Sequence, residues 1–154
     1  MGKNQMQLVN TMSSATAETK PFIVAGMPMY NEEETIGTVV TMALRYVDAV
    51  ICIDDGSSDS SAKIAETCGA IVHRHRVNRG YGGALQSLFQ KAKAMNADAL
   101  VVLDSDGQHE TSDIPNLLKP ILDGEVDFTI GSRFINGGGG TDMPAYRRLG
   151  IKVI

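Results

Sequence analysis

Ala99-Leu-Val-Val-Leu-Asp-Ser-Asp-Gly-Gln108 is the stretch on which the reading turns. Five apolar residues, Ala99 to Leu103, run straight into Asp104, Ser105, Asp106, Gly107 and Gln108. A short apolar run closed by a turn signal predicts a strand buried on both faces, as in a parallel sheet. Side chains alternate along an extended chain, so Asp104 and Asp106 share a face, roughly 6–7 Å apart along the strand. Two carboxylates on one face repel each other unless a cation lies between them. Oxygen ligands of this kind, completed by a phosphate and waters, suit Mg2+ or Mn2+. Gln108 adds a third oxygen if the chain stays extended past Gly107. The plainer alternative is a solvated acidic turn after a core strand, because Asp and Gly are ordinary turn residues.

Upstream, Phe22–Met27 (FIVAGM) predicts a first strand ending at Pro28, which cannot donate to a ladder. Asn31 has the chemistry of a helix cap, and Glu32, Glu33 and Glu34 suit the positive first turn of a helix. That helix runs to about Tyr46 with Ile36, Val39, Val40 and Leu44 on one stripe. A capped helix leaves Pro28 and Tyr30 unexplained. A second strand, Ala49–Ile53, ends in Asp54-Asp55-Gly56-Ser57-Ser58-Asp59. One of Ser57, Ser58 or Asp59 is expected to cap the next helix, which Gly69 closes. Asp54 and Asp55 are surplus to a cap, and a carboxylate here can accept N–H groups from a nucleobase.

The third strand, Ala70–His75, is read as an edge with His73 and His75 alternating outward and exposed. Asn78-Arg79-Gly80-Tyr81-Gly82-Gly83 follows. Its glycines allow close backbone approach before a helix from Ala84 to about Met95, whose N–H groups can face an anion, with Arg79 adding charge. The string is not the dinucleotide fingerprint Gly-x-Gly-x-x-Gly, which should follow the first strand. Beyond Gln108, Ser112 or Asp113 caps a helix through Leu122, with Pro115 in its first turn and Gly124 at its end. Asp127–Gly131 is read as a fifth strand leading into Ser132-Arg133-Phe134. Four glycines at 137–140 and then Arg147 and Arg148 suit a lid over an anionic ligand; an ordinary surface loop explains them equally.

Strands alternating with helices predict an α/β fold, a Rossmann-like, mostly parallel sheet with helices on both faces. Ligands in such sheets bind at the carboxyl ends of the strands. The polar clusters after the first, second and fourth strands all lie there, and that convergence outweighs any single motif. The bulk composition agrees. The chain has 154 residues, 43% of them hydrophobic, enough for one domain with a core. Residues 1–20 are polar and aperiodic and read as a disordered tail, with 21–154 as the domain. Fourteen Lys+Arg against 18 Asp+Glu give a net charge of −4, which argues against nucleic acid as a partner. Cys52 and Cys68 sit in core-like positions rather than in a disulfide or metal pattern, which suits a reducing compartment. With neither a membrane-span pattern nor a signal core in the sequence, a cytoplasmic location is expected.

Pro28-x-Tyr30-Asn31-Glu32-Glu33, Asp54-Asp55-Gly56-Ser57-x-Asp59, Asn78-x-Gly80-x-Gly82-Gly83 and Asp104-x-Asp106-x-Gln108, in that order, resemble the family 2 glycosyltransferases of the GT-A fold. Gly131-Ser132-Arg133-Phe134 and the glycines after it are most similar to the polyprenyl-phosphate (dolichyl-phosphate) mannose and glucose synthases. The resemblance covers about Phe22 to Arg148. It implies that Pro28, Tyr30 and Glu32 line a nucleotide pocket and that Asp55 accepts from the base. Arg79 and Ser105 join the nucleotide-sugar site. Asp104 and Asp106 hold the diphosphate and a Mg2+ or Mn2+ ion, with Gln108 as a further ligand. Arg133, assisted by Arg147 and Arg148, faces the acceptor phosphate, and Asp106 and Arg133 carry the catalysis. The implied partners are a nucleotide-diphosphate sugar and a lipid phosphate, with the protein peripheral at the cytoplasmic membrane face. Self-association is left open. The resemblance also implies that 21–154 is the donor-binding part, with the acceptor side incomplete. A non-catalytic nucleotide-sugar-binding module and a transferase using a sugar hydroxyl are the competing readings. A receiver-type signalling domain ranks low, because its acidic pair should follow the first strand, where this chain has Pro28.

Overall fold

The central strand β1 (Ile23–Met29) has all seven residues buried, as a strand covered on both faces must. It belongs to a computed structural model that describes residues 20–131. The order continues α1 (Ile36–Ala43), β2 (Ala49–Asp54), α2 (Ser61–Thr67), β3 (Ile71–Arg74), α3 (Gly80–Ala94) and β4 (Ala99–Val102). A 3-10 turn (Thr111–Asp113) then leads into α4 (Ile114–Leu122). The four strands form one sheet in the order β3-β2-β1-β4, and every pairing is parallel. The alternation of strands and helices read from the sequence therefore gives the sheet expected of it. The reversal of order falls between β1 and β4, with β1–β2 and β1–β4 leading to opposite sides. A crevice opens at such a point, at the carboxyl ends of the strands.

Two apolar layers cover the sheet. On one face Ala25, Met27, Val50 and Val101 pack with Ile36 and Val40 of α1 and with Ile114 and Leu118 of α4. On the other, Val24, Ile51 and Ile53 pack against Ala84, Leu88 and Ala92 of α3. Cys52 is buried in the first layer, where loss of hydration pushes its thiol up to about 12 and neighbouring Cys68 adds to the effect. Cys68 is half-buried, and both cysteines are free, consistent with their reading as small apolar residues.

The structure corrects four local expectations. Pro28 does not end β1, which continues through Met29 with Pro28 opposite Ile53. The Gly26 carbonyl faces β4, accepting from Leu103 N at 2.9 Å, and Pro28 shares that orientation two residues on. Since β4 stops at Val102, the missing proline N–H falls where the ladder has already ended. Asn31 is not a helix cap. It lies in the left-handed region (φ 55°), and α1 starts only at Ile36. The third helix starts at Gly80 rather than Ala84, so the glycine string forms its first turn. Finally, residues 127–131 do not form a strand. Phe128 and Ile130 are 73% and 81% exposed, so the burial that their alternation anticipated has no facing layer among the described residues. The segment is held through Thr129 Oγ1, which donates to Leu117 O at 2.8 Å. Other expectations stand: α4 begins after Asp113 with Pro115 in its first turn, and Gly69 (φ 97°) closes α2. Of the N-terminal tail only Lys20 is described, and its Nζ meets Asp48 at 2.7 Å. The rest of the tail and residues 132–154 lie outside the described residues, and with them Arg133, Arg147 and Arg148.

One contact fixes how closely α3 approaches the sheet. A Cβ at Gly26 would stand 2.4 Å from Leu88 Cδ1 and 2.8 Å from its Cγ, so only hydrogen fits there. Leu88 is fully buried and has no space to retreat into. Gly26→Ala is expected to cost about 1–3 kcal/mol of unfolding free energy through overpacking. A lower urea midpoint at unchanged m-value would show it, and an unchanged midpoint would refute the close approach.

Candidate functional site

The crevice at the switch point is a cleft of about 340 Å3. It is lined from β1 by Pro28 and Met29, from the loop behind it by Tyr30 and Glu32, and from the loop after β2 by Asp55. Gly80 and Tyr81 at the start of α3 form one wall, and Asp104, Ser105 and Asp106 after β4 form the other. The polar clusters after three different strands therefore meet in one place. The size falls within the range of small-molecule sites.

Side-chain-to-backbone hydrogen bonds hold the floor together. The loop after β1 has no regular structure, so its N–H groups need partners. The loop after β2 supplies them: Ser57 Oγ accepts from Asn31 N at 3.0 Å and Ser61 Oγ from Glu32 N at 2.7 Å. In return Asn31 Oδ1 accepts from Ser58 N at 2.9 Å, and Glu33 Oε2 from Ser60 N at 2.9 Å. Asn31 thus uses its left-handed backbone to aim its amide at the neighbouring loop. The N-cap of α2 is Ser60, which makes no side-chain cap hydrogen bond, so none of Ser57, Ser58 and Asp59 takes the expected cap position. Asp59, one residue earlier, accepts Ser61 N on Oδ1 at 3.0 Å. Burial raises the Asp59 acid, but the hydrogen bonds from Ser61 and the main chain outweigh it and leave it below the usual carboxylate range. Buried Asp54 accepts from Ser57 N at 2.8 Å. Its Oδ2 lies 3.0 Å from Arg74 Nε in an ion pair whose angle makes no hydrogen bond.

The strand expected to carry Asp104 and Asp106 stops at Val102, and residues 105 and 106 form a turn instead of an extended run. Asp104 and Asp106 both face the cleft, while the Ser105 hydroxyl donates to Pro28 O at 2.9 Å beneath them. Thr35 Oγ1 donates to Ser105 O at 2.8 Å and ties the same turn to the start of α1. At Gly107 (φ 75°) the chain folds back, and Gln108 N donates to Asp106 Oδ1 at 2.9 Å. Gln108 therefore lacks the extended chain it needed, and it is not among the cleft residues. His109 occupies the near side instead: its Nδ1 accepts from Asp104 N at 3.0 Å, and its Nε2 lies 3.6 Å from Asp104 Oδ2. Tyr81 faces Asp104 from the opposite wall. Burial raises the Tyr81 phenol above its ordinary value, and the charge and hydrogen bond of Asp104 add to the rise.

No group of three or more His, Cys, Asp or Glu side chains among the described residues gathers around one point as a self-sufficient metal cage. Two half-buried carboxylates on a single turn, facing a cleft, instead match the protein's share of a magnesium- or manganese-type site. Such sites draw their other oxygens from phosphate and water.

Asp55 is the best-held group in the cleft, with only 4% of its surface exposed. His75 Nδ1 lies 2.6 Å from its Oδ1, and Arg79 N donates to the same oxygen at 2.9 Å. Burial pushes the acid up, but the hydrogen bonds of His75 and of the Arg79 and Gly80 main chain prevail and hold it below the usual range. The expectation that His75 is an exposed edge residue is therefore wrong. It is 6% exposed, because β3 ends at Arg74 and the next residue turns under α3. His73 is the half-buried one of the pair. Burial lowers its affinity for a proton, and the charges of Lys91, His75 and Arg79 add to that. Arg79 also departs from its expected place. Its side chain runs along α3, with Nη1 3.4 Å from Ser87 Oγ, and does not line the cleft. Sequence reading missed His75, Ser87 and Tyr81, whose partners lie at separations that no motif spacing encodes.

A sequence profile of glycosyl transferase family 2 matches residues 25–152. The UDP-N-acetylglucosamine–dolichyl-phosphate N-acetylglucosaminyltransferase of Methanococcus voltae is 32% identical over 80% of this chain and 57% of its own length. The undecaprenyl-phosphate mannosyltransferase of Micrococcus luteus is 33% identical over 80% of this chain and 53% of its own. Among solved structures, glucosyl-3-phosphoglycerate synthase of Mycobacterium tuberculosis, in complex with Mn2+, UDP-glucose and phosphoglyceric acid, superposes with a TM-score of 0.58. It is 31% identical, across 68% of this chain and 40% of that one. The chain thus spans little more than half the length of these curated relatives.

Because the folded-state acidity of Asp55 is enhanced, its contribution to stability is present above its ordinary value of 3.8 and fades as pH falls through the lower folded value. Asp55→Asn is expected to lower unfolding free energy at neutral pH by about 1–3 kcal/mol. Urea titrations from about pH 5 downward should show a flatter acid loss for the variant than for wild type. Parallel curves would exclude the ionised, hydrogen-bonded carboxylate.

Proposed function

The chain belongs to glycosyl transferase family 2, and on that premise we propose that it is the donor-binding part of an inverting hexosyltransferase. The donor is a nucleotide-diphosphate sugar such as GDP-mannose or UDP-glucose, and the acceptor is a polyprenyl or dolichyl phosphate. One observation carries this reading: Pro28, Tyr30, Glu32, Asp55, Ser105 and the Asp104–Asp106 pair, drawn from three strand ends, line a single cleft.

Each part of the donor finds a matching group. The base lies toward Asp55, whose carboxylate accepts its N–H, with Pro28 and Tyr30 beside it. The diphosphate lies toward Asp104 and Asp106, the residues that would hold a Mg2+ or Mn2+ ion. That ion, when bound, stabilises the charge that builds on the departing diphosphate. The Ser105 hydroxyl and carbonyl, fixed to Pro28 and Thr35, keep both carboxylates in place. Gln108 enters only if the turn at Gly107 opens, and Arg79 acts through its main chain on Asp55 rather than as a phosphate ligand.

In the transfer, an oxygen of the acceptor phosphate attacks the anomeric carbon from the face opposite the diphosphate. The new carbon–oxygen bond forms as the bond to the diphosphate breaks, and the leaving group departs with the electron pair. The sugar carbon passes through an oxocarbenium-like state. A phosphate nucleophile is already anionic near neutral pH, so no proton must be removed and positioning does most of the work. Arg133, with Arg147 and Arg148, is assigned to the acceptor phosphate on the strength of the sequence resemblance, since guanidinium groups recognise phosphate in bidentate fashion. A sugar-hydroxyl acceptor would instead require a carboxylate base. The described residues include no helix long and apolar enough to cross a membrane. A lipid acceptor would bring the protein to the membrane face.

Two variants test the assignment. Asp106→Ala should abolish Mn2+-dependent binding of the donor in calorimetry; donor affinity equal to wild type would remove the metal–diphosphate role. Arg133→Ala should reduce transfer of radiolabelled sugar to dolichyl phosphate by about 10- to 100-fold, as loss of a charged hydrogen bond does, while leaving donor affinity unchanged. Equal loss of both would reject the acceptor-side role. Donor binding without any product from wild type would favour the non-catalytic module.

A further inference from the structure

Behind the cleft lies a buried relay that binding the donor does not by itself require. Arg79 Nη1 donates toward Ser87 Oγ at 3.4 Å, and Ser87 Oγ lies 2.9 Å from His75 Nε2. His75 Nδ1 lies 2.6 Å from Asp55 Oδ1. A carboxylate only accepts, so Nδ1 carries the hydrogen; in the neutral ring Nε2 then accepts from the Ser87 hydroxyl. Ser87 and His75 are each 6% exposed, so water does not compete for these bonds. The relay ends at one oxygen of Asp55, where Arg79 N also donates at 2.9 Å. Gly80 N–H donates to Asn78 Oδ1 at 2.9 Å and also adds to the hold on Asp55.

The count of lone pairs then limits the ligand. A carboxylate oxygen accepts about two hydrogen bonds, and Oδ1 has both from the protein. A base arriving from the cleft is left with Oδ2 alone. Uracil presents a single imide N–H flanked by two carbonyl oxygens, which one free oxygen satisfies. Guanine presents two adjacent donors, N1–H and the 2-amino group, that need both carboxylate oxygens. Its second donor would be desolvated against an oxygen already filled. Cytosine replaces the imide N–H with a bare N3, and its 4-amino donor reaches Oδ2 only by bringing that N3 lone pair against the carboxylate. Sites with a fixed buried hydrogen-bond pattern reject mismatched ligands strongly, because the mismatch leaves polar groups unpaired.

We propose that His75, backed by Ser87, is a positioning residue that saturates one oxygen of Asp55, and that the cleft thereby selects a uracil-type imide base over guanine and cytosine. This rests on the reading of the cleft as a nucleoside-diphosphate site. Calorimetry of the full chain with UDP, GDP and CDP, each with Mn2+, tests it. Wild type is expected to bind UDP at least about tenfold tighter than either GDP or CDP. His75→Leu, similar in bulk but without the ring N–H, should lose most of that preference. His75→Asn, whose amide can replace the Nδ1 donor, should retain it. Ser87→Ala provides a milder cut in the same relay and should narrow the preference even if the leucine variant does not fold. GDP bound as tightly as UDP by wild type would overturn the proposal while leaving the donor site standing. A preference unchanged in Ser87→Ala and His75→Leu would overturn the role of the relay, whatever those variants do to thermal stability. If wild type binds none of the three nucleotides, the nucleotide-site reading itself fails and this inference goes with it.

Discussion

The site depends on one constraint: irregular loops at the carboxyl end of a buried parallel sheet must find partners for their backbone N–H groups. Here two loops satisfy each other. Asn31, Glu32 and Glu33 donate main-chain hydrogens to Ser57, Ser61 and Asp59, and the reverse bonds run from Ser58 and Ser60 to Asn31 and Glu33. Few of these acidic and hydroxyl side chains are free to act on a ligand, since they serve as scaffold. Their effect is to make the strand ends of β1 and β2 a single rigid floor. The cleft carboxylates Asp55, Asp104 and Asp106 can then be held in fixed relation without help from a ligand.

Rigidity of the same kind governs the sheet beneath. Gly26 lets Leu88 touch the backbone of β1, so α3 lies close against the strands. That closeness brings Ser87, the residue before Leu88, within 2.9 Å of His75. A packing contact on one face of the sheet therefore fixes a polar contact at its end. The relation runs from a missing side chain, to helix position, to the setting of the carboxylate that faces the base.

The acidic residues of the chain fall into two physical kinds. Asp55 and Asp59 are held below the usual carboxylate range by donated hydrogen bonds, against the cost of burial. Asp104 and Asp106 remain half-buried on a turn and face the cleft. The first kind gives shape and selectivity; the second offers charge to whatever occupies the cleft. Tyr81 faces Asp104 in the same cleft, and its phenol is raised first by burial and then by the charge and hydrogen bond of Asp104.

Local pattern was enough to predict four strands, four helices and their alternation, because apolar runs act over a few residues. It was also enough to gather Pro28, Tyr30, Glu32, Asp55 and the Asp104–Asp106 pair at one end of a parallel sheet. In such a sheet all strands point the same way, so every loop that follows a strand emerges on the same side. Sequence could not foresee that β1 passes through Pro28, since this depends on where the neighbouring strand stops. Nor could it foresee that Asn31 serves the next loop rather than its own helix, or that Gly107 turns Gln108 away. The alternation that placed His75 in solvent failed because β3 ends one residue earlier and α3 closes over that position. Residues 127–131 carry a strand's alternation, yet pairing needs a partner ladder that local pattern cannot supply. Periodicity determined which side of each element is buried; only the tertiary fold, which brings residues 12 and 20 positions apart within hydrogen-bonding distance of one imidazole, decided which polar groups meet.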